Sequence, residues 1–250
     1  MAKQDITIKT ADGTVPAGLF RSGSGSGTKA GVILYMDAFG LRPALDGMAE
    51  RIAKAGYVVL VPDLFYRFGD YGPLDAKTAF SHPDTKEKIM GMLTETTQAK
   101  VKEDTRHYLE TLAENGATGP IGTVGYCMGG KFAIGAAAYY PDKVVAAASF
   151  HGGGLANDDP DAPHRLADKI RGRVYVGAAS VDRSFPPEQS TKFADAFRLA
   201  EVDFTLENYK GMQHGWTVPD HGVYDEGGAE RHWQRLMTLF AETLDAPRAG

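Results

Sequence analysis

The sequence predicts an α/β fold built on a mostly parallel, twisted sheet with helices on both faces. Short, continuously apolar runs recur along the chain, and such runs are typical of strands buried on both faces. Helical patterns separate these runs from Gly31 onward, as expected for successive β-α-β units. Of the 250 residues, 43% are hydrophobic and 24% are charged, so a sizeable core can form. We therefore expect one domain over residues 1–250.

The chain begins with a predicted β-hairpin. Ile6 and Ile8 precede the turn signal Ala11-Asp12-Gly13, and the apolar run from Val15 to Phe20 follows it. The alternating serines and glycines from Ser22 to Gly27 are interpreted as a flexible surface loop. This stretch lacks the context of a phosphate-binding loop, because it precedes a strand instead of following one and opening a helix.

Six further strands and five helices are predicted after the hairpin. The strands cover residues 32–36, 57–61, 121–125, 144–150, 174–177 and 202–209. The helices lie near residues 43–55, 86–115, 129–140, 187–200 and 226–244. Between them, the segment from Pro62 to Asp84 is long, aromatic and rich in glycine and proline. It is either a moving lid or binding loop, or an aromatic loop packed on the end of the sheet.

Charge and cysteine content narrow the function classes. Lys and Arg together number 27, Asp and Glu together number 32, and the net charge is −5, which gives no general attraction for nucleic acid or anionic lipid. The lone cysteine excludes an intrachain disulfide. The chain also lacks a signal-peptide pattern and a membrane-length apolar run. We expect a cytoplasmic protein with no nucleic-acid or membrane partner, and its oligomeric state stays open.

The most informative motif is Gly125-Tyr126-Cys127-Met128-Gly129-Gly130, which follows a predicted strand and precedes a predicted helix. The pattern G-x-C-x-G predicts a nucleophile elbow with cysteine in the place of serine. Its glycines leave room for a strained turn, and the following helix N-terminus favours a thiolate. The alternative is that Cys127 is a small buried hydrophobic residue.

Two later residues occupy the positions that an elbow nucleophile requires. Asp182 follows the predicted strand 174–177, and His214 follows the strand 202–209, in the order nucleophile, acid, histidine. We predict that His214 holds or accepts the Cys127 proton, while Asp182 fixes the imidazole tautomer and stabilises its charged form. Backbone N–H groups of Met128 and Ala38 are the predicted oxyanion hole.

Further residues are predicted to line the substrate pocket, with ordinary packing as the alternative. They are Phe39, Tyr126, His151 and Trp216. The histidines show no H-E-x-x-H pattern or other ligand spacing, so no metal site is expected.

These motifs resemble the dienelactone hydrolase family of α/β-hydrolases over nearly the whole chain. The resemblance is carried by Tyr35-Met36-Asp37-Ala38-Phe39-Gly40, Pro62-Asp63-Leu64-Phe65, the Cys127 elbow, Asp182 and Gly211-Met212-Gln213-His214-Gly215. It implies an α/β-hydrolase fold and hydrolysis of a small carboxylic ester or lactone through a thioester, without cofactor or metal.

Two departures from the family pattern bear on the substrate. Members that act on dienelactone use a glutamate in the first-strand loop to activate the cysteine, and the matching position here is the shorter Asp37. We expect Asp37 to act on the thiol, with local hydrogen bonds in its turn as the alternative. Those members also bind the substrate carboxylate with an arginine just after the histidine, where this chain has Gly215 and Trp216. A neutral or bulkier ester is therefore at least as suitable.

Two other classes of protein remain as comparisons. In a non-catalytic relative, Cys127 serves as a redox-sensing or ligand-binding thiol. Only an enzyme additionally requires His214 and Asp182. A nucleotide-binding protein of the same fold class would need a phosphate-loop motif, and the sequence has none.

Overall fold

A computed structural model describes residues 2–22 and 29–245. An eight-stranded sheet has the strand order β1-β2-β4-β3-β5-β6-β7-β8. The strands are β1 (Ala2–Thr10), β2 (Gly13–Arg21), β3 (Gly31–Tyr35), β4 (Val58–Pro62), β5 (Ile121–Tyr126), β6 (Val144–Phe150), β7 (Arg173–Val181) and β8 (Phe204–Gln213). Strands β3 to β8 are mutually parallel, whereas β2 runs antiparallel to its neighbours β1 and β4. The predicted mostly parallel α/β-hydrolase sheet is confirmed.

Six α-helices pack around the sheet in the described part of the chain. They are α1 (Pro43–Lys54), α2 (Pro83–Glu95), α3 (Gln98–Glu114), α4 (Met128–Tyr139), α5 (Pro187–Leu199) and α6 (Glu226–Leu244). On β5, the Thr123 hydroxyl donates to a carbonyl of α4, whereas a Cβ added to the adjacent Gly122 would lie 2.8 Å from Phe240 of α6. Successive residues of a strand face opposite sides, so α4 and α6 cover opposite faces of the sheet. No helix among residues 2–22 and 29–245 is long and apolar enough to cross a membrane.

The predicted helix over residues 86–115 was wrong in its length, because two helices occupy this region. Thr96 has a ψ of 83° and leaves the helical conformation after α2. The Thr97 side chain then accepts a hydrogen bond from the Lys100 N–H at 3.3 Å and begins α3. Threonine is a common N-cap residue, so the helix boundary has a local signal in the sequence.

Strand β8 also differs from its prediction as a strand buried on both faces. Among its residues, Tyr209 alone is buried. The side chains of β8 are more exposed because this strand lies at the end of the sheet order and pairs with β7 only. An edge strand of this kind keeps one side open to solvent.

The N-terminal hairpin is confirmed, with Thr10 paired to Gly13 across the turn. Of the serine-glycine stretch after it, residues 23–27 lie outside the described residues. In the predicted loop of residues 62–84, Leu64 and Phe65 are buried, and the Arg67 guanidinium binds both carboxylate oxygens of Asp104 on α3. The first half of this loop therefore has the packed arrangement.

The carboxyl ends of the parallel strands bring the predicted functional residues to one edge of the sheet. Ala38 follows β3, Cys127 follows β5, His151 follows β6, Asp182 follows β7 and His214 follows β8. In open α/β sheets, ligands bind in the crevice outside these strand ends. The topology thus places five residues that are distant in sequence around one possible site.

Candidate active site

Cys127 occupies a strained turn between β5 and α4, with a φ of 55° and a ψ of −120°. A Cβ atom added to Gly125 would lie 2.0 Å from the carbonyl oxygen of Gly129. One added to Gly129 would lie 2.3 Å from the carbonyl oxygen of Tyr35 at the end of β3. Distances below 3.0 Å exclude a side chain at both positions, so the two glycines permit the elbow and its close contact with β3.

Neighbouring loops hold the Cys127 backbone in this conformation. Its N–H donates to the Phe150 carbonyl at 3.2 Å and to His151 Nδ1 at 3.1 Å. Its carbonyl accepts hydrogen bonds from the N–H groups of Gly130 and Gly153 at 3.1 and 3.3 Å. The nucleophile candidate is therefore fixed from the β6 side as well as from its own helix.

Asp182 and His214 form a hydrogen-bonded pair next to the Cys127 turn. His214 Nδ1 lies 2.7 Å from Asp182 Oδ2. The His214 ring centroid lies 5.0 Å from that of His151, whose Nδ1 accepts the Cys127 N–H, so His214 lies beside the Cys127 turn. Asp182 Oδ1 accepts from the Ser184 N–H at 2.8 Å and from its hydroxyl at 2.6 Å. The Asp182 side chain is 2% exposed, whereas that of His214 is 30% exposed. Solvent therefore reaches the imidazole but not the carboxylate that orients it.

The charges and hydrogen bonds around His214 favour its charged imidazolium form. Burial raises the pKa of Asp182, but hydrogen bonds from His214 and Ser184 outweigh burial and lower it. Burial lowers the pKa of His214, whereas the charges and hydrogen bonds of Cys127 and Asp182 raise it to about 10.

The loop after β3 and the N-terminus of α4 carry the two amides of the predicted oxyanion hole. Ala38 is buried in that loop, and Met128 is the first residue of α4. Neither amide hydrogen has a protein acceptor among the described residues. The dipole of α4 adds positive potential at Met128. A Cβ added to Gly129 would lie 2.6 Å from the Met36 carbonyl oxygen, so the start of α4 is close to the loop that carries Ala38. Unpaired backbone donors are the groups that can stabilise an oxyanion.

Asp37 lies in a buried ion-pair cluster that the sequence analysis missed. Its carboxylate oxygens accept hydrogen bonds from the Arg42 guanidinium at 2.6 and 2.8 Å, from His221 Nε2 at 3.0 Å and from the Phe39 N–H at 3.0 Å. Arg42 also binds both carboxylate oxygens of Asp220, at 2.6 and 2.9 Å. The cluster joins the loop after β3 to the loop after His214.

This arrangement changes the interpretation of Asp37. Among the described residues, its hydrogen bonds are directed to Arg42, His221 and Phe39 rather than to Cys127. Burial raises the pKa of Asp37, but the hydrogen bonds and charges of His221 and Arg42 lower it. Arg42 was within reach of sequence reasoning because it is five residues away, whereas His221 is 184 residues away.

The predicted pocket residues Tyr126 and Trp216 are fully buried and offer no surface to a ligand. The Tyr126 hydroxyl lies 2.9 Å from His232 Nε2, and Trp216 packs against the rings of His151 and Tyr209. The pocket prediction is corrected for both residues, because they form the packed layer behind the strand ends.

Phe39 and His151 are also nearly buried, but Phe39 leads to an exposed residue that the sequence analysis missed. Its ring lies 5.5 Å from the ring of Phe80, which is 45% exposed. Phe80 belongs to the second half of the loop of residues 62–84. The lone aromatic residue in that half gave no signal by itself, because its neighbour Phe39 is distant in sequence. An exposed aromatic side chain therefore stands beside the loop that carries Ala38.

Comparison with known proteins gives a consistent result. The model of the dienelactone hydrolase family matches residues 17–244. A protein of Synechocystis sp. named "Putative carboxymethylenebutenolidase" is 28% identical over 254 residues, covering 96% of this chain and 99% of that protein. A carboxymethylenebutenolidase of Rhodococcus opacus is 27% identical over 247 residues, covering 95% and 91% of the two chains. The crystal structure of a "Putative Dienelactone Hydrolase" from Klebsiella pneumoniae superposes with a TM-score of 0.83 at 22% identity, covering 96% and 98%.

Proposed function

This chain belongs to the dienelactone hydrolase family, and we propose that it hydrolyses small carboxylic esters or lactones through a thioester on Cys127. The observation that carries this proposal is the Asp182–His214 pair, with 2.7 Å between its atoms, placed beside the strained elbow of Cys127. The name of the Rhodococcus opacus relative, carboxymethylenebutenolidase, agrees with a lactone substrate.

In the first half of the reaction, the Cys127 thiolate attacks the carbonyl carbon and forms a C–S bond. The carbonyl oxygen becomes an oxyanion, which the amides of Ala38 and Met128 stabilise. When the intermediate collapses, the C–O bond breaks and the His214 imidazolium gives its proton to the leaving alkoxide. With a lactone, this alcohol stays attached to the acyl group. The products of this half are a thioester and neutral His214.

In the second half, neutral His214 takes a proton from water, and the resulting hydroxide attacks the thioester carbonyl. The C–S bond breaks, releasing the carboxylic acid and restoring the Cys127 thiolate beside imidazolium. The Asp182 carboxylate stabilises the charged imidazole in both halves and keeps Nε2 towards the nucleophile.

The surroundings of the site support a neutral substrate with an apolar group. The Arg42 guanidinium is shared between the carboxylates of Asp37 and Asp220, so its charge is already balanced. The Arg67 guanidinium likewise binds Asp104 and Asp12. Beside the loop that carries Ala38, the exposed group is the ring of Phe80. Apolar contact with such a ring favours an uncharged acyl or alcohol group.

Ester turnover by the purified protein tests this proposal. The substrates are a panel of neutral aryl esters and lactones, and intact-protein mass spectrometry after rapid acid quench measures the acyl adduct on Cys127. We expect turnover and an adduct of acyl mass that Cys127→Ala lacks. Turnover that survives Cys127→Ala contradicts the mechanism. A reactive Cys127 with no turnover of any ester supports the non-catalytic thiol instead.

A further inference from the structure

The His151 side chain lies between Cys127 and the loop that carries His214. Its Nδ1 accepts the hydrogen bond from the Cys127 N–H at 3.1 Å, and its Nε2 lies 2.8 Å from the Thr217 hydroxyl. The imidazole is buried, and its ring centroid lies 5.0 Å from that of His214. Thr217 is three residues after His214, so the His151 side chain is a bridge that connects the Cys127 turn to the loop that carries His214. The proposed reaction steps give His151 no chemical task.

The partners of His151 determine where its proton resides. A backbone N–H can only donate, so the Nδ1 atom that faces Cys127 must carry a lone pair. The single proton of the neutral imidazole is then on Nε2, where it is donated to Thr217 Oγ1. A charged His151 would direct an N–H group at the Cys127 N–H. Burial and the nearby His214 lower the pKa of His151 well below its usual range, in agreement with the neutral form.

Both His151 and its neighbour Cys127 have a strained backbone. His151 has a φ of 40° and Cys127 a φ of 55°, in the region that favours glycine. The His151 N–H donates to the Gly177 carbonyl of β7 at 2.9 Å, which ties its turn to the sheet. Strained residues persist where surrounding contacts hold them, and they cluster at functional sites.

We infer that His151 is a positioning residue, which holds the Cys127 elbow in register with the His214 loop as its neutral Nε2–H tautomer. The inference rests on the proposed function, because it assigns His151 a part in the same reaction. A displacement of about 1 Å between reacting groups can reduce a rate by about 100-fold. Loss of the bridge should therefore lower kcat more than it changes KM.

Substitutions at Thr217 test the bridge without changing either strained residue. Thr217→Val keeps the shape and removes the acceptor for Nε2–H, whereas Thr217→Ser keeps the hydroxyl. Thr105→Val is the matched control, because Thr105 is a buried threonine on α3 whose hydroxyl lies 2.8 Å from the Tyr35 hydroxyl. We expect Thr217→Val to lower kcat by about 10- to 100-fold with little change in KM. Thr217→Ser should recover most of kcat, and Thr105→Val should retain it.

Substitutions of His151 itself separate its two hydrogen bonds. Asparagine places an acceptor at the position of Nδ1 and tolerates a positive φ, whereas phenylalanine keeps the ring and loses both polar atoms. We expect His151→Asn to retain more kcat than His151→Phe. Equal losses in the two variants contradict a role for the Cys127 hydrogen bond.

Two measurements separate this inference from the proposed function. Nitrogen-15 chemical shifts of the His151 ring should show an unprotonated Nδ1. Alkylation of Cys127 by iodoacetamide should slow in Thr217→Val but not in Thr105→Val. If no ester is turned over but both results hold, the proposed function fails, and His151 is still shown to hold the Cys127 elbow, though not for ester hydrolysis. A protonated Nδ1, or identical alkylation rates and kcat values in the two threonine variants, overturns the inference.

Discussion

Two aspartate–histidine pairs lie near the same strand ends, and they differ in what completes each pair. Asp182 and His214 are 2.7 Å apart, and Asp37 and His221 are 3.0 Å apart. The His214 ring also lies beside the Cys127 turn. By contrast, His221 Nδ1 faces Gly215 so closely that a Cβ added there would lie 2.2 Å away. In the proposed mechanism the His214 imidazole exchanges a proton with Cys127, whereas the His221 imidazole is enclosed.

The two carboxylates differ in the same way. Asp182 is hydrogen-bonded to Ser184 and His214, so its strongest cationic partner exists only while His214 is protonated. Asp37 is paired with Arg42, which is charged at every working pH. We therefore propose that the Asp182–His214 pair acts in proton transfer, whereas the Asp37–His221 pair, whose charge Arg42 balances, does not. The following predictions test this contrast.

The largest effect is expected from removal of the nucleophile or its histidine. Because such residues act as a unit, Cys127→Ala and His214→Ala should each lower kcat by about 10⁴-fold or more. The double variant should be no slower than the slower single variant. Steady-state ester hydrolysis measures all three, and additive losses would point to separate roles for the two residues.

The contrast between the carboxylates appears next. Asp182→Asn should lower kcat by about 10⁴-fold, because an amide favours the wrong imidazole tautomer. Asp37→Asn should reduce folding stability and cost far less kcat, because Asp37 contacts the site through Arg42 and His221. A comparison of kcat and urea unfolding for both variants checks this. A pH profile of Cys127 alkylation that shifts in Asp37→Asn would restore a direct role for Asp37.

The buried cluster should dominate stability. Arg42→Met leaves the Asp37 carboxylate buried without its cation, and breaking a buried pair costs about 3–5 kcal/mol. Arg51→Met is the control, because the Arg51–Glu230 pair is solvent-exposed and such pairs contribute about 0–1 kcal/mol. The free energy of unfolding in urea measures both. Equal losses of unfolding free energy in the two variants would show that the buried Asp37 cluster stabilises the fold no more than an exposed ion pair does.

The charge state of His214 gives a pH-dependent test. Cys127 heads the causes that raise the pKa of His214 to about 10 against burial, so Cys127→Ala should lower this pKa. A raised histidine pKa adds stability that is complete below about pH 6.5 and is lost as the pH rises through about 10. NMR titration of His214 and unfolding between pH 6 and 10 measure the two quantities. An unchanged pKa in Cys127→Ala argues against the ion pair.

The smallest effect concerns substrate selection. Phe80→Ala removes an exposed ring, and apolar contacts of this size discriminate substrates by roughly 10-fold. We expect kcat/KM for a neutral aryl ester to fall by about that factor, with acetyl esters affected less. The parent protein should not prefer an ester with a free carboxylate over a neutral one of matched size. A strong preference for the carboxylate would show that a cation in the site is available to substrate.

Local signals in the sequence account for most of the fold and for the positions of Cys127, Asp182 and His214. Continuous apolar runs predict the parallel strands, because both faces of those strands are covered by helices. The elbow is recognisable since its glycines and its nucleophile are adjacent in the chain. Asp182 and His214 are recognisable because each follows a strand whose end must lie at the same edge of the sheet. The break at Thr96 and Thr97 was missed although its cap is local.

The tertiary structure alone decided the features that depend on partners distant in the chain. Pairing of Asp37 with His221 spans 184 residues, and the contact of Phe39 with Phe80 links two loops with no common sequence pattern. Burial of Tyr126 and Trp216 depends likewise on packing from several elements. Sequence neighbours specify backbone conformation and strand order, whereas the partner of a buried charge is set by which loops the folded sheet brings together. For that reason the elbow at Cys127 could be predicted from its own motif, whereas the pairing of Asp37 with His221 could not.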